Sequence, residues 1–276
     1  MTHFARRLRR DVPALAGLVT LVLVGAIALA APWLYPGDPQ DMVARPLIWP
    51  FQDPALPLGT DRLGRDLAAG LAHGARVSLL VGFAAAAAAV LVGVTVGCLA
   101  GWFGGLVDDS LMRVTDAVQT VPGFVLALAL VAVMGPGVGT VIVAIAVSSW
   151  TGTARVVRAE VSSWRERDLV AACRVMGMGS GEILIRQILP NIASPVIVLA
   201  SVVVAVAILV ESALSFLGLG DPALVSWGSM IAEGRGLLRR AWFVAAVPGV
   251  AIIITVVSVS LAGEAVTAAL DPRDRQ

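Results

Sequence analysis

The sequence contains no lysine; all 20 of its basic residues are arginine. A phosphate-binding P-loop needs a lysine after its glycines to reach the phosphates, so this chain does not carry that ATP site. Cysteine and histidine are almost as scarce. Cys98 and Cys173, His3 and His73 stand apart from one another with no metal-ligand spacing. That pattern predicts free thiols and no metal site made by this chain alone. Charged residues are only 14% of the chain against 58% hydrophobic, with a mean hydropathy of +0.89. A soluble domain of this length needs far more charge to keep its surface wet, so the bilayer is the expected solvent, with lipid a partner. The net charge of +1 selects no partner and gives no sign of nucleic-acid binding; where the charges fall is more informative.

Six candidate spans can be drawn, at about Ala14–Leu34, Val77–Ala100, Val114–Met134, Val138–Val157, Pro195–Leu217 and Phe243–Ala269. Each is long enough to cross roughly 30 Å of hydrocarbon as a helix. The first follows the basic cluster Arg6, Arg7, Arg9 and Arg10. That start resembles a signal peptide, with Ala28-Leu29-Ala30 as a cleavage site, but the apolar run is longer than a signal core and further spans follow. An uncleaved anchor is the reading adopted. The third span holds Asp116, Gln119 and Thr120 and is interrupted by Pro122. A segment this polar is expected to face protein or a cavity rather than lipid.

Arginine sets the orientation. With the N-terminus inside, the inner segments carry 13 of the 20 arginines and the outer segments 7, and the bias is strongest at the first span. Both termini are therefore expected in the cytoplasm. The chain divides into residues 1–34 (cytoplasmic N-terminus and first span), 35–76 (external loop) and 77–276 (a five-helix core that includes the inner loop 158–191). In the external loop, Leu63, Leu67 and Leu71 recur every four residues, which predicts a short amphipathic helix at the outer interface.

The inner loop carries the most distinctive pattern. Leu169, Cys173 and Met176 share one helical face, Arg167 and Arg174 lie elsewhere, and Gly177, Gly179 and Gly181 end the helix. Ser180 is placed to cap a second helix containing Ile183, Ile185, Ile188 and Leu189. The loop reads as helix–turn–helix on the cytoplasmic face. It either folds onto its own membrane domain or docks an apolar stripe into a groove on a soluble partner. The glycines do not complete a dinucleotide fingerprint, because position 182 is Glu and no strand precedes them.

Two further features lie in the spans. Glu211 is a carboxylate within the fifth span; at bilayer centre it costs roughly 2.5–3.5 kcal/mol, so it is expected to face protein or water. It is a candidate for the translocation pathway, with Asp116 and Gln119, or else a carboxylate satisfied inside the bundle. Gly93, Gly97, Gly101 and Gly105 recur at four-residue spacing, a small-residue stripe suited to close helix packing. No nucleophile with a base and no paired catalytic carboxylates can be named, so an intramembrane enzyme is not indicated.

Arg167-Asp168-Leu169-Val170-Ala171-Ala172-Cys173-Arg174-Val175-Met176-Gly177, followed by Ile188-Leu189-Pro190-Asn191, resembles the EAA loop of type I ABC-importer permeases. Gly59–Asp66 with Gly74–Leu79 resembles the approach to the second span in the dipeptide/oligopeptide/nickel branch of that family. Ser215-Phe-Leu-Gly-Leu-Gly220 with Ser226-Trp-Gly-Ser-Met-Ile231 resembles its outer loop, and Leu270-Asp-Pro-Arg273 its C-terminal ending. Three departures stand out. Ala171 occupies the place of the EAA glutamate and Cys173 that of its second alanine. Glu264 and Thr267 stand where the ending has Asp and Arg, and the outer segment between Gly220 and Ser226 is short.

The resemblance implies an all-α integral membrane protein with the MetI-like permease fold, multi-pass in the plasma (inner) membrane of a prokaryote. It implies a homologous second permease subunit as heterodimer partner, two ATP-binding subunits that hold ATP and magnesium, and an extracytoplasmic solute-binding protein. This chain itself would bind no cofactor and would not be an enzyme. Asp168, Leu169, Ala172, Cys173, Met176, Gly177, Leu189 and Pro190 would form the coupling to the ATPase. The expected solute is a di- or oligopeptide, with nickel or another small solute as runner-up. The rival is a stand-alone ion-coupled carrier, which predicts inverted repeats that the sequence does not display. The arginine distribution makes a direct prediction: single cysteines at Ser163 and Ser226, in a cysteine-free background, label from opposite sides of the membrane, and labelling from one side ends this topology.

Overall fold

The computed structural model describes residues 12–270, with side chains through residue 266. The basic cluster at Arg6–Arg10, the side chain of Thr267 and the ending after Leu270 lie outside the described residues. Everything regular among the described residues is helical. Among the described residues, five helices are long and apolar enough to cross a bilayer: α1 (Val12–Leu34), α2 (Leu67–Phe103), α5 (Val138–Arg165), α9 (Ala193–Phe216) and α11 (Phe243–Leu270). A sixth span exists only if α3 (Gly105–Gln119) and α4 (Gly123–Met134) count together. They are bent by 79° at residues 120–122, where Pro122 adopts ψ 129°. The expected third span is thus two helices. Proline forbids the helical bond at the break, and the extended backbone turns the polar α3 away from the apolar α4.

The outer segment corrects one expectation. It holds no separate interfacial helix. Leu63 lies in a turn, whereas Leu67 and Leu71 belong to the opening turns of α2. The turn is fixed by Asp61 Oδ1, which accepts from the backbone N–H of Leu63 (2.7 Å) and Arg65 (2.9 Å), and by Gly64 at φ +83°. Asp66 then caps α2 by accepting from Ala68 N–H at 2.8 Å. With 37 residues, α2 is about 55 Å long, well beyond the hydrocarbon thickness. Residues 35–66 fold back as a cap beside the start of α2. Thr60 Oγ donates to Arg45 O and accepts from Ile48 N–H, and a Cβ at Gly59 would fall 2.2 Å from Ile48 O.

The frame of the bundle is the contact between α2 and α5. A Cβ at Gly93 would lie 2.7 Å from Trp150 O, at Gly97 2.6 Å from Ala154 O, and at Gly101 2.6 Å from Arg158 O. The glycine stripe therefore seats one helix backbone directly on the other. Gly105 does not belong to it. It opens α3 with φ +51° and has open space where a Cβ would be. Gly104 ends α2 at φ +65°, which rotates the next residue off the stripe.

Between α5 and α9 lie three short elements, α6 (Asp168–Val175), α7 (Ser180–Ile183) and α8 (Leu189–Asn191), the last two joined by a widened turn at Leu184–Ile188. Between α9 and α11 a short helix at the opposite end of the bundle, α10 (Trp227–Gly234), is capped by Ser226 and Ser229 reciprocally. Trp227 and Met230 bury it against α2, α9 and α11. Ser226 is itself buried. The outer labelling position is better placed at exposed Ala223, since a probe at Ser226 would remove the cap.

The glycine stripe predicts a contrast. Gly97→Val forces a side chain into backbone and overpacks the α2–α5 seam, with an expected loss of roughly 1–3 kcal/mol or more. Gly139→Ala, where a Cβ meets nothing within 4 Å, is expected to stay within about 0.5 kcal/mol of the parent. Thermal unfolding of the two purified variants in detergent distinguishes them; equal midpoints would remove the seam from its place in the frame.

Candidate functional site: a loop platform and a polar helix face

The inner loop folds as a platform. Asp168 opens α6 and Arg174 closes it, both favourable to the helix dipole. Arg167 lies over the Trp164 ring at 3.7 Å and Arg174 over Trp102 at 5.3 Å, so both guanidinium groups are turned along aromatic faces. The helix stops at Gly177. Its N–H bonds to Arg174 O, while Met178 N–H bonds to Cys173 O. This paired closure is the Schellman arrangement, and Gly177 sits at the φ of +82° that it demands. Gly179 is extended at φ −70° and N-caps α7; Ser180 is the first residue of that helix and makes no side-chain cap bond.

The expected stripe is split by the fold. Val170 and Cys173 are buried together with Ile183, Ile188 and Ile192, on Cys98 and Trp102 of α2 and Val157 and Val161 of α5. Leu169 (45% exposed) and Met176 (71%) stay outside with Ala172 and Val175 (89%). Cys173 thus faces the membrane domain, away from any docking surface. Val170, next round the helix from Leu169, turns the buried direction toward Cys173 and leaves Leu169 at the rim. One face folds onto its own domain, as the first reading of the loop expects, and a different apolar face is left open. Leu189 packs partly under the platform, while Asp168 and Pro190 are exposed. Ahead of Pro190 the helix widens, with Leu189 N–H reaching Leu184 O. Asn191 Nδ2 donates to Gln187 O at 2.5 Å, supporting the turn around proline.

The polar residues of α3 meet α5. Arg155 pairs with Asp116 at 2.5 Å and Gln119 donates to Thr151 at 2.9 Å, while Arg158 grips Asp108 through two nitrogens. Asp109, Arg113, Asp116, Gln119, Thr120 and Arg155 remain exposed on one side of this pair. Asp116 and Gln119 are therefore brought together on an open polar face. Glu211 is elsewhere. It is 2% exposed and accepts from Ser78 on α2 at 3.0 Å and from Ser215 at 2.7 Å. The crevice beside it has a volume of about 20 Å³, room for a single water. Its placement matches a carboxylate satisfied inside the bundle.

Sequence reasoning missed the underside of the platform and the serines around Glu211. Ser215, four residues beyond Glu211, is legible as its neighbour on one face of a helix. Ser78, 133 residues away, is not. It also missed the outer crevice of about 190 Å³ between the cap and α10, where Asp61, Asp66, Asp221 and Glu233 surround Arg65. Arg65 Nη1 pairs with Glu233 at 3.0 Å. Burial raises the pKa of Glu233, and Arg65 opposes part of that rise. Burial likewise raises Asp66, against the lowering effect of the backbone N–H groups it caps.

Residues 93–276 match the family model described as the binding-protein-dependent transport system inner membrane component. Residues 2–56 match the N-terminal transmembrane domain of oligopeptide transport permease C. A di/tripeptide transport system permease protein of Pseudomonas aeruginosa is 39% identical over 266 residues, 94% of this chain and 88% of the relative. A glutathione transport system permease protein of Pectobacterium atrosepticum is 37% identical over 273 residues, 98% and 90%. Among solved structures, the MetNI methionine ABC transporter in inward-facing conformations is similar in fold, with a TM-score of 0.62 at 18% identity over 73% of this chain and 96% of that one.

Proposed function

This chain belongs to the binding-protein-dependent transport system inner membrane components, the permease subunits of ABC importers, and on that footing we propose that it passes di- or oligopeptides inward by alternating access. It is a multi-pass inner-membrane protein. The near full-length similarity to permeases named for di/tripeptides, dipeptides and glutathione supports a peptide rather than nickel or another small solute. A stand-alone ion-coupled carrier has no such support.

The observation that carries the mechanism is the open apolar face of α6. Leu169, Ala172, Val175 and Met176 stand on a helix whose other face is already buried. An apolar face held rigidly at an aqueous surface is suited to a groove on a soluble partner, here an ATP-binding subunit. In this reading ATP and magnesium sit on two such subunits, and both termini lie with the platform in the cytoplasm. The polar face with Asp116 and Gln119 is too costly for lipid. It faces the pathway shared with a second, homologous permease subunit, and an extracytoplasmic binding protein delivers solute to the outer cap. Closure of the ATPases shifts the platform, and the bundle exchanges between two states.

Reconstitution in proteoliposomes with the partner subunits tests this. Uptake of a labelled dipeptide is expected to require ATP and the binding protein and to be indifferent to excess nickel. Nickel uptake without peptide uptake would replace the solute assignment, and uptake by this chain alone would overturn the mechanism.

The same preparation tests the platform. Gly177→Val places a β-branched residue at φ +82°, a strain of roughly 1–2 kcal/mol that distorts the closure of α6. Met176→Asp puts a charge on the docking face. Each is expected to lower uptake about tenfold or more while membrane insertion is preserved, with the ATPase either shed or hydrolysing without transport. The contact should be only mildly salt-sensitive, because Ala171 brings no carboxylate to it. Parent values for both variants would mean that α6 is not the coupling element.

A further inference from the structure

The outer end of α9 is fastened to α10 through a carboxylate that meets no cation within ion-pair distance among the described residues. Glu211 Oε2 accepts from Ser78 Oγ of α2 at 3.0 Å and, more distantly, from Ser212 Oγ at 3.4 Å; Oε1 accepts from Ser215 Oγ at 2.7 Å. Ser78 Oγ in turn accepts from the backbone N–H of Trp227 at 3.3 Å. Trp227 is the first residue of α10, so one hydroxyl links the carboxylate to a helix N-terminus, the end that favours negative charge.

Packing reinforces the link. A Cβ at Gly228 would lie 2.3 Å from Ser212 O, so α10 rests on the backbone of α9. Trp227 is 2% exposed, and its indole Nε1 donates to Leu71 O of α2 at 3.0 Å. A Cβ at Gly74 would lie 3.0 Å from the same ring. The outer helix is therefore gripped between α2 and α9 at Glu211. At the opposite end, only Ile192 separates α8 from α9, and Ile192 is buried in the cluster that holds Val170 and Cys173 of the platform. From Ile192 to Glu211 the chain advances 19 residues, about 28 Å of helix, and α9 runs without interruption between the two attachments.

We propose that Glu211 is a positioning residue that locks α10 to α9, so that movement of the platform end of α9 is delivered to the outer helix. The role rests on the importer reading. Glu211 acts through α10 and touches no solute. The single-water crevice beside it leaves no room for a peptide in this conformation. The need for an acceptor at this position follows from the donor set: the hydroxyls of Ser78, Ser212 and Ser215 all donate to Glu211, and an apolar side chain would accept from none of them.

The test uses the complete complex in proteoliposomes, with a single cysteine at Ala232 on α10 in a cysteine-free background. A membrane-impermeant maleimide is applied from outside, with and without a non-hydrolysable ATP analogue. With Glu211 present, the labelling rate is expected to change severalfold between the two conditions. Glu211→Ala and Ser78→Ala are each expected to reduce that change to within twofold and to lower uptake per assembled complex about tenfold, with basal ATP hydrolysis retained. Glu211→Gln, which keeps an acceptor oxygen, is expected to restore a large share of both. Should Glu211→Ala fail to assemble, Ser78→Ala carries the test, since it cuts the link to Trp227 and leaves Ser215 on Glu211.

A nucleotide-dependent rate at residue 232 that survives Ser78→Ala overturns the proposal. So does a fall in yield with normal uptake per remaining complex, which would make Glu211 a stabilising group only. Failure of the importer reading would show differently, as absence of ATP-dependent peptide uptake in the parent complex.

Discussion

Gly93, Gly97 and Gly101 let α2 and α5 meet backbone to backbone, and the other packing in the inner half of the molecule is referred to that seam. In a bilayer, apolar side chains gain little from leaving lipid, so close approach and dispersion contacts hold helices together. The seam continues beyond the glycines. Cys98 and Trp102 of α2 and Val157 and Val161 of α5 form the floor on which Val170, Cys173, Ile183 and Ile188 rest. The platform is thus built directly on the close α2–α5 contact.

Polar groups follow a consistent division. Those of the α3–α5 face pair side by side, as in Arg155–Asp116 and Gln119–Thr151, yet stay open on one side. Glu211 is closed on all sides by hydroxyls and the start of α10. The first arrangement suits a surface completed by water or another subunit. The second suits a joint within one subunit, because a satisfied buried network specifies geometry. The short α10 gains its place from this joint and from Trp227, since eight residues alone do not hold a helix.

The departures from the familiar coupling motif are coherent with this arrangement. Ala171 is exposed on α6 and offers no carboxylate, and Cys173 fills a buried position that a small side chain suits. With no carboxylate at Ala171, the open face of α6 is made by Leu169, Ala172, Val175 and Met176, and contact on such a face depends on shape more than on ionic strength.

Apolar length and the glycine breaks are one-dimensional properties, so the sequence by itself determined the solvent, the approximate course of five of the six spans, the helix–turn–helix of the loop after α5 and the helix end at Gly177. The dipeptide-branch motifs likewise pointed to the family. What only the tertiary structure decided was which way each face points and which distant groups meet. A four-residue recurrence made Leu63 look like a partner of Leu67, until the Asp61 turn and the Asp66 cap placed the helix start between them. Helical spacing put Cys173 beside Leu169 and Met176, but Val170 and the floor of α2 and α5 drew it inward. Glu211 was legible as a costly carboxylate. Its partner Ser78 was not, because a hydrogen bond across 133 residues is set by how helices pack and leaves no period in the chain.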